Sequence, residues 1–277
     1  MVRAFIAVFA LSCLAASALA QGQPPTATPA IAPTVKPAVK KSPPKAKISV
    51  TSPKAADSGP CQIGVIPAVG DLFVVQKIGL TVFGNEHAEV ATDWGLDDFV
   101  FARVRAAAGP SIAVRRITYP PGAFDHYYHP ASRLLPDPRD GLPAIVRDIA
   151  AHAGCERYLV ITRFTGQLSG TNQRLDGIGI YNQGLGDVIR HTHLFANVAL
   201  TLLDGQTYAN QSRAGAVIAA HFGESLRFTE DPLKKIENEY FPDPPSAAAG
   251  SAVLRERTRA LVSAELDRLL PAYLKAE

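Results

Sequence analysis

The sequence predicts a single α/β domain with a mixed β-sheet, helices on one face of that sheet, a late antiparallel meander and a C-terminal helix. Three observations favour this class. Strand-like and helix-like segments alternate over residues 61–164, strand-like segments follow one another over residues 177–213, and a helical apolar pattern ends the chain. Of the 277 residues, 47% are hydrophobic, which is ordinary for a globular protein and excludes disorder of the whole chain.

The first half of the predicted domain alternates strands with helices. The first two strands are separated by a break at residues 67–71, so they are expected to pair as a hairpin. The first helix is expected to have Asp93 as its N-cap and to end at Gly109-Pro110. The expected elements are strands over residues 63–66, 72–83, 112–119 and 158–164 and helices that begin near residues 96 and 142.

Strands without intervening helices follow, over residues 177–181, 193–203 and 206–213. Asp204-Gly205 is a strong signal for a two-residue hairpin turn, which places Leu203 opposite Gln206. Alternate residues of the middle strand then form a core face: Leu194, Ala196, Val198, Leu200 and Leu202. An apolar stripe predicts the C-terminal helix: Val262, Leu266, Leu269, Leu270 and Tyr273.

Residues 1–20 have the three parts of a secretory signal. Arg3 supplies the positive charge, residues 4–14 form the apolar centre, and Ala18-Leu19-Ala20 presents small residues to a signal peptidase. The sequence therefore predicts secretion across the inner membrane to the periplasm or cell envelope. Two alternatives stay open: a membrane anchor formed by this segment, and lipidation at Cys13. No other apolar run reaches the ~18 residues of a membrane span, so no span is expected after cleavage.

Residues 21–60 predict a disordered, proline-rich linker. They contain nine prolines and six lysines but a single acid, Asp57, and no apolar periodicity. One domain, residues 61–277, is expected to follow. The linker carries a net charge of +5 and Arg3 adds +1, so the whole-chain charge of +3 leaves about −3 for the domain. This mildly acidic balance argues against a nucleic-acid partner. The basic linker is either a solvated spacer or a contact to an anionic envelope polymer or lipid head group.

Cys61 and Cys155 each stand directly before a strongly apolar, strand-like run. If the two strands are parallel neighbours, their starts lie side by side and a Cys61–Cys155 disulfide becomes geometrically possible. An oxidising compartment favours the bond. Two free, buried thiols are the alternative.

Arg190-His-Thr-His193 is the segment most suggestive of a site. Residues two apart on a strand point the same way, so His191 and His193 would offer two imidazoles to a zinc-like ion, with Asp187 completing the set. No Glu-x-x-His or Cys pair supports a metal, and a solvated or partner-binding face is the competing interpretation. That face would consist of four polar residues: His193, Asn197, Thr201 and Tyr208.

A second candidate surface is the aromatic segment His126, Tyr127, Tyr128 and His129. Prolines on both sides favour a loop over a helical turn. On a helical turn, His126 and His129 would converge and could share a metal ion. Aromatic-rich loops are typical of recognition surfaces, so the segment is interpreted as part of a binding surface.

Ser169 is the candidate for a catalytic nucleophile. It lies near the end of the central strand, but Gly166-Gln-Leu-Ser-Gly170 departs from the Gly-x-Ser-x-Gly spacing of a nucleophile elbow. Residues 166–176 are more typical of a wide hairpin connection. The glycines that follow precede no helix, so they form no dinucleotide fingerprint and no cofactor is expected.

Two stretches carry a resemblance to a known group. Glu156-Arg-Tyr-Leu-Val-Ile161, followed by a wide loop and by Val198-Ala-Leu-Thr-Leu-Leu-Asp-Gly-Gln-Thr207, resembles bacterial envelope accessory domains of the curli-secretion-channel and penicillin-binding-protein-activator type. The resemblance implies a non-enzymatic, partner-binding role and brings no catalytic residues. We therefore expect an exported envelope accessory protein on a flexible basic tether. The alternative is a secreted hydrolase or metal-dependent enzyme that uses the His191/His193 strand face.

Overall fold

A computed structural model describes most of the expected domain. The expected signal and nearly all of the expected linker, as well as Ser169 and Asp187, lie outside the described residues. The described residues are 59–79, 84–130, 141–168, 173–185, 189–211 and 234–274.

Three strands come first, of which the strand at residues 86–91 was not predicted; helices and strands then alternate, and a strand-rich part follows, as the sequence pattern indicates. The strands are β1 (Ile63–Ala68), β2 (Leu72–Ile78), β3 (Glu86–Ala91), β4 (Val114–Arg116), β5 (Arg157–Arg163), β6 (Thr165–Gln167), β7 (Arg174–Asp176), β8 (Ile178–Leu185), β9 (Ile189–Ala196), β10 (Val198–Asp204) and β11 (Lys235–Ile236). The helices are α1 (Leu96–Ala108), α2 (Asp125–Tyr128), α3 (Leu142–Ala150), α4 (Ala252–Leu269) and α5 (Pro271–Leu274), and two 3₁₀ turns lie before α4.

The strands form two mixed sheets and one small ribbon. The four-stranded sheet has the order β10-β5-β1-β4, in which β1 is parallel to β4 and β5 while β10 is antiparallel to β5. The five-stranded sheet has the order β11-β9-β8-β2-β3, in which β2 and β8 are parallel and the other pairs antiparallel. The ribbon is the β6–β7 hairpin, where the sequence indicates a wide hairpin connection. The α/β class is confirmed, with its strands divided between two sheets.

One large core unites α1 and α4 with one face of each sheet. It contains Val65 and Leu159 of the four-stranded sheet, Phe73 and Ile180 of the five-stranded sheet, and Leu266 of α4. Burying aliphatic side chains at roughly 1.5–3 kcal/mol each makes this core the main source of stability. Of the stripe predicted for the C-terminal helix, Val262 and Leu266 face this core from α4. Leu270 and Tyr273 reach the same core from beyond the end of α4, and Leu269 is only partly buried against it.

A second core covers the opposite face of the four-stranded sheet. There α3, through Ile145 and Val146, packs on Ile66 and Val160. Helices therefore lie on both faces of this sheet, which corrects the expectation of helices on one face. The reason is the residue alternation of β1 and β5, which places an apolar side chain on each face in turn.

The Cys61–Cys155 disulfide is present in the second core. It joins residues 94 apart in the sequence whose Cα atoms are 4.6 Å apart. The parallel pairing of β1 with β5, from Ile63 opposite Arg157 onward, brings the two cysteines together. The predicted disulfide is thus confirmed, and the two strands that follow its cysteines are parallel neighbours, as the prediction required.

The expected late meander changes sheet in its middle. The strand predicted over residues 193–203 is broken at Asn197, so β9 pairs in the five-stranded sheet and β10 in the four-stranded sheet. The third meander strand is absent from the described residues 206–211, which contain one bridge, Leu203 to Asn210. The prediction of a two-residue turn at Asp204-Gly205 is also wrong. Asp204 Oδ1 accepts hydrogen bonds from the N–H groups of Gln206 and Thr207, and these bonds hold a longer connection.

Two further expectations near α1 are wrong. β1 and β2 do not form a hairpin, because they belong to different sheets. Asp93 does not cap α1: the cap position is Gly95, and the Leu96 N–H donates to Asp71 Oδ1 at 3.1 Å. A carboxylate from the β1–β2 connection thus satisfies a free N–H of the helix start.

Two glycines permit close backbone approach. A Cβ on Gly179 of β8 would lie 2.2 Å from the Val74 carbonyl oxygen of β2. A Cβ on Gly205 would lie 2.0 Å from the Cys155 carbonyl oxygen, where the end of β10 meets the disulfide region. Neither position accepts a side chain without movement of the backbone.

Candidate functional site

The histidine pair lies on β9 as the sequence predicts. His191 and His193 are two residues apart on the face of the five-stranded sheet that points away from the large core, here called the outer face. The His193 ring stacks on Tyr181 of β8, with centroids 5.3 Å apart and an interplanar angle of 18°. In the parts of the chain that the structure describes, no three His, Cys, Asp or Glu side chains are grouped to hold a metal ion.

Strand register aligns a row of polar side chains across the outer face. Lys235, His193, Tyr181, Gln76 and His87 lie opposite one another on successive strands. Gln76 is only 7% exposed, and its Oε1 accepts no hydrogen bond among the described residues. Burial raises the pKa of the Tyr181 phenol above its ordinary value. The row combines ring, amide and basic groups, which protein interfaces use.

The predicted polar face is not continuous. Asn197 lies at the change of sheet, where its Nδ2 donates to the Leu175 carbonyl oxygen at 2.7 Å. Thr201 and Tyr208 lie on the α3 side of the four-stranded sheet, and Tyr208 stacks on Tyr158 at 5.7 Å. Only His193 of the four predicted residues therefore belongs to the outer face. Asn197 has a structural role, because it fixes the junction between β9 and β10.

The aromatic segment forms a helical turn rather than the expected loop. The His129 N–H donates to the Asp125 carbonyl oxygen at 2.8 Å, and α2 results. His126 and His129 are exposed, while Tyr127 packs edge-on against Tyr128 at 5.3 Å. The predicted surface is thus split: the histidines face solvent, and Tyr128 points inward.

Tyr128 anchors α2 to the carboxyl ends of β1 and β5. Its hydroxyl donates to the Ala68 carbonyl oxygen and accepts from the Arg163 N–H at 3.2 Å. The Arg163 guanidinium lies 4.6 Å from the ring centroid, at cation–π distance. Burial raises the pKa of Tyr128 to about 12. These contacts assign Tyr128 an architectural role.

A second buried polar cluster stands at the same sheet edge. Tyr119 donates its hydroxyl proton to Asp97 Oδ2 at 2.7 Å, and the Gly70 N–H donates to Asp97 Oδ1 at 2.9 Å. Burial raises the pKa of the Asp97 carboxyl, and burial together with that carboxyl raises the pKa of Tyr119. Ligands of open α/β sheets often bind at such carboxyl ends. Here the polar atoms join α1, the β1–β2 connection and residue 119 to one another.

A pocket that the sequence does not indicate lies at one end of the core-facing side of the five-stranded sheet. Its volume is about 290 Å³, close to the lower end of the ~300–1,000 Å³ typical of ligand sites. The floor comes from β2, β3, β8 and β9, and the wall comes from the segment before α4. The lining residues are Val75, Lys77, Glu86, His87, Ala88, Asn182, Arg190, Asn238, Phe241, Pro242, Asp243 and Pro245.

A chain of hydrogen bonds holds the polar floor of this pocket. Asn182 Nδ2 donates to Thr192 Oγ1 at 2.6 Å, and Thr192 Oγ1 donates to Asn238 Oδ1 at 2.8 Å. Asn238 Nδ2 in turn donates to the Arg190 carbonyl oxygen at 3.0 Å. At the rim, Lys77 Nζ pairs with Glu86 Oε1 at 3.0 Å. The wall comes from residues 241–245, a segment that contains three prolines.

Comparison of the chain with protein-family models, with curated proteins and with solved structures gives no match. Among the helices of the described part of the chain, none combines the length and the hydrophobicity that a bilayer span requires.

Proposed function

We propose that the chain is an exported accessory protein of the cell envelope that binds another envelope component without transforming it. The observation that carries the proposal is the buried Cys61–Cys155 disulfide. Structural disulfides persist in oxidising compartments such as the periplasm and are rare in the cytosol. The signal-like residues 1–20 support the same compartment.

A binding role is supported by the way the domain uses its polar side chains. Asp97, Tyr119 and Tyr128 are hydrogen-bonded within the fold. On the outer face, His191 is exposed, and His193 is half-buried and stacked on Tyr181, so aromatic rings are presented on the surface of the sheet. The outer face is therefore the surface that we assign to the partner, and residues 21–60 are the basic tether that lets the domain reach it. The resemblance to envelope accessory domains agrees with this role.

Export is tested by producing the full chain in a bacterium and fractionating the cells. We expect a periplasmic or envelope-bound protein that lacks residues 1–20 and whose two remaining cysteines resist alkylation until a reductant is added. A cytosolic protein that retains Met1 and has reactive thiols would contradict the proposal.

Binding is tested with immobilised protein and a solubilised envelope fraction. We expect one component to be retained by the wild type and lost with the Tyr181→Ala/His193→Ala variant, while the His152→Ala control keeps it; His152 is exposed and lies next to α3. Removal of residues 21–60 should weaken retention without abolishing it. Equal retention by all variants would contradict the assignment of the outer face. Stoichiometric metal in untagged protein, lost in His191→Ala, would replace the proposal by the metalloenzyme alternative.

A further inference from the structure

We infer that the pocket between the five-stranded sheet and residues 241–245 is a binding site for a neutral monosaccharide unit. The pocket lies on the core-facing side of the sheet, opposite the outer face, so the inference goes beyond the partner surface proposed above. It holds whether or not that surface binds a protein.

The first argument is the orientation of the Asn182 side chain, which the hydrogen-bond chain fixes so that its Oδ1 remains as an acceptor. The Arg190 carbonyl oxygen can only accept, so Asn238 must direct Nδ2 toward it and Oδ1 toward Thr192. The Thr192 hydroxyl has one proton, which Asn238 Oδ1 receives. Asn182 must therefore present Nδ2 to Thr192 and turn its Oδ1 away from that chain.

Asn182 Oδ1 is available as an acceptor in the pocket. The residue is 7% exposed and lines the pocket, and its side chain is held in the chain through Nδ2. A ligand that supplies a hydroxyl or amide proton can therefore donate a hydrogen bond to this oriented oxygen. The pocket thus selects for a ligand with donor groups.

The charged side chains of the lining favour neither sign of charge. Lys77 and Glu86 pair with each other at 3.0 Å, and Arg190 and Asp243 add one charge of each sign. An anion or a cation would therefore meet as many like charges as opposite ones and gain no net attraction. A neutral molecule meets no such repulsion.

The remaining wall is apolar and the space is small. The apolar part of the lining comes from Phe241, Pro242 and Pro245 together with Val75 and Ala88. This combination of an apolar wall with a few oriented polar groups is how proteins bind small ligands. A sugar ring offers hydroxyl donors on its rim and C–H groups on its face, and a volume of about 290 Å³ suits one ring better than an extended chain.

The test is calorimetric titration of the full chain with glucose, with N-acetylglucosamine and with its β-1,4-linked disaccharide. Two comparison ligands carry full charges: alanyl-alanine is a zwitterion with one charge of each sign, and inorganic phosphate is an anion. Two variants probe the site. Asn182→Ala removes the oriented acceptor, and Ala88→Leu replaces a half-buried lining residue of the edge strand β3 by a larger side chain that occupies part of the pocket. Ala91→Leu is the matched control, because it enlarges an exposed residue of the same strand that does not line the pocket.

We expect saturable binding of at least one sugar, weakened tenfold or more in Ala88→Leu and Asn182→Ala and unchanged in Ala91→Leu. A preference for the free sugar or for the disaccharide would distinguish a soluble ligand from a glycan end. Absence of sugar binding, sugar binding unaffected by Ala88→Leu, or tighter binding of alanyl-alanine or phosphate would overturn the inference. None of these results would affect the export and partner-retention experiments.

Discussion

Replacement of both Cys61 and Cys155 by alanine is expected to destabilise the domain by about 4 kcal/mol. The disulfide closes a loop whose ends are 94 residues apart. In the chain-entropy account, a loop of this length gives about 4.7 kcal/mol at 25 °C, and measured values are typically ~2–4 kcal/mol. The large loop therefore places the expected loss at the upper end of the measured range.

The expected shift is large enough to measure with one spectroscopic probe. Trp94 is the only tryptophan of the chain, and it is 2% exposed, so its fluorescence reports unfolding of the large core. For a domain of this size, 1 kcal/mol corresponds to about 2–4 °C in melting temperature. A decrease of roughly 8–16 °C is expected, together with a lower urea midpoint and a larger m-value, because the unfolded chain without the cross-link exposes more surface.

Wild-type protein that has been reduced provides the control. Its stability should match that of the double variant to within about 1 kcal/mol, because both lack the cross-link in the unfolded state. If the oxidised wild type and the double variant unfold at the same urea concentration, the entropic reasoning is refuted. Equal stability would also remove the disulfide as support for an oxidising compartment.

Three other substitutions test contacts described above. Tyr128→Phe should lower the free energy of unfolding by about 1–2 kcal/mol because two buried hydrogen bonds are lost, whereas Tyr127→Phe should leave the urea midpoint unchanged. Gly179→Ala should cost more than ~3 kcal/mol through the clash with β2, whereas Gly250→Ala, with open space around it, should be tolerated in the same urea titration. Hydrogen bonds from the backbone and hydroxyl of Thr207 hold the pKa of Asp204 below its ordinary value of 3.8. Its carboxylate therefore stabilises the fold above that pH, and the advantage over Asp204→Asn should disappear as the pH falls through the lowered pKa.

Local sequence rules were sufficient where neighbouring residues decide the structure. The positions of Cys61 and Cys155 before two apolar strands predicted their pairing, because parallel strands start at the same edge of a sheet. The stripe of the last helix was predicted in part from its spacing: Val262 and Leu266 are buried in α4, whereas Leu254 and Leu261 are also buried and were not predicted.

The change of sheet at Asn197 could not be predicted from the alternation of apolar residues along β9 and β10. Leu194, Val198 and Leu200 all face the large core, so the apolar alternation passes from β9 to β10 without interruption. Before Asn197, β9 pairs with β8, and after Asn197, β10 pairs with β5. The pattern fixes which face is buried but does not fix which strand is adjacent.

The pocket escaped prediction for a related reason. Lys77, Asn182 and Asn238 are far apart in the sequence and meet only because β2 pairs with β8 and the segment before α4 returns to the sheet. The cap of α1 by Asp71 shows the same limit, because the carboxylate comes from outside the helix and its flanks.

The order in which the strands alternate between the two sheets has a consequence for any attempt to divide the protein. In chain order, β1 belongs to the four-stranded sheet, β2 and β3 to the five-stranded sheet, and β4 and β5 to the four-stranded sheet. Then β8 and β9 belong to the five-stranded sheet, β10 to the four-stranded sheet and β11 to the five-stranded sheet. A single cut anywhere between β2 and β10 divides the strands of both sheets between the two fragments. Fragments produced by limited proteolysis within that range should therefore stay associated until denaturant is added, and neither should be recoverable as an autonomous unit.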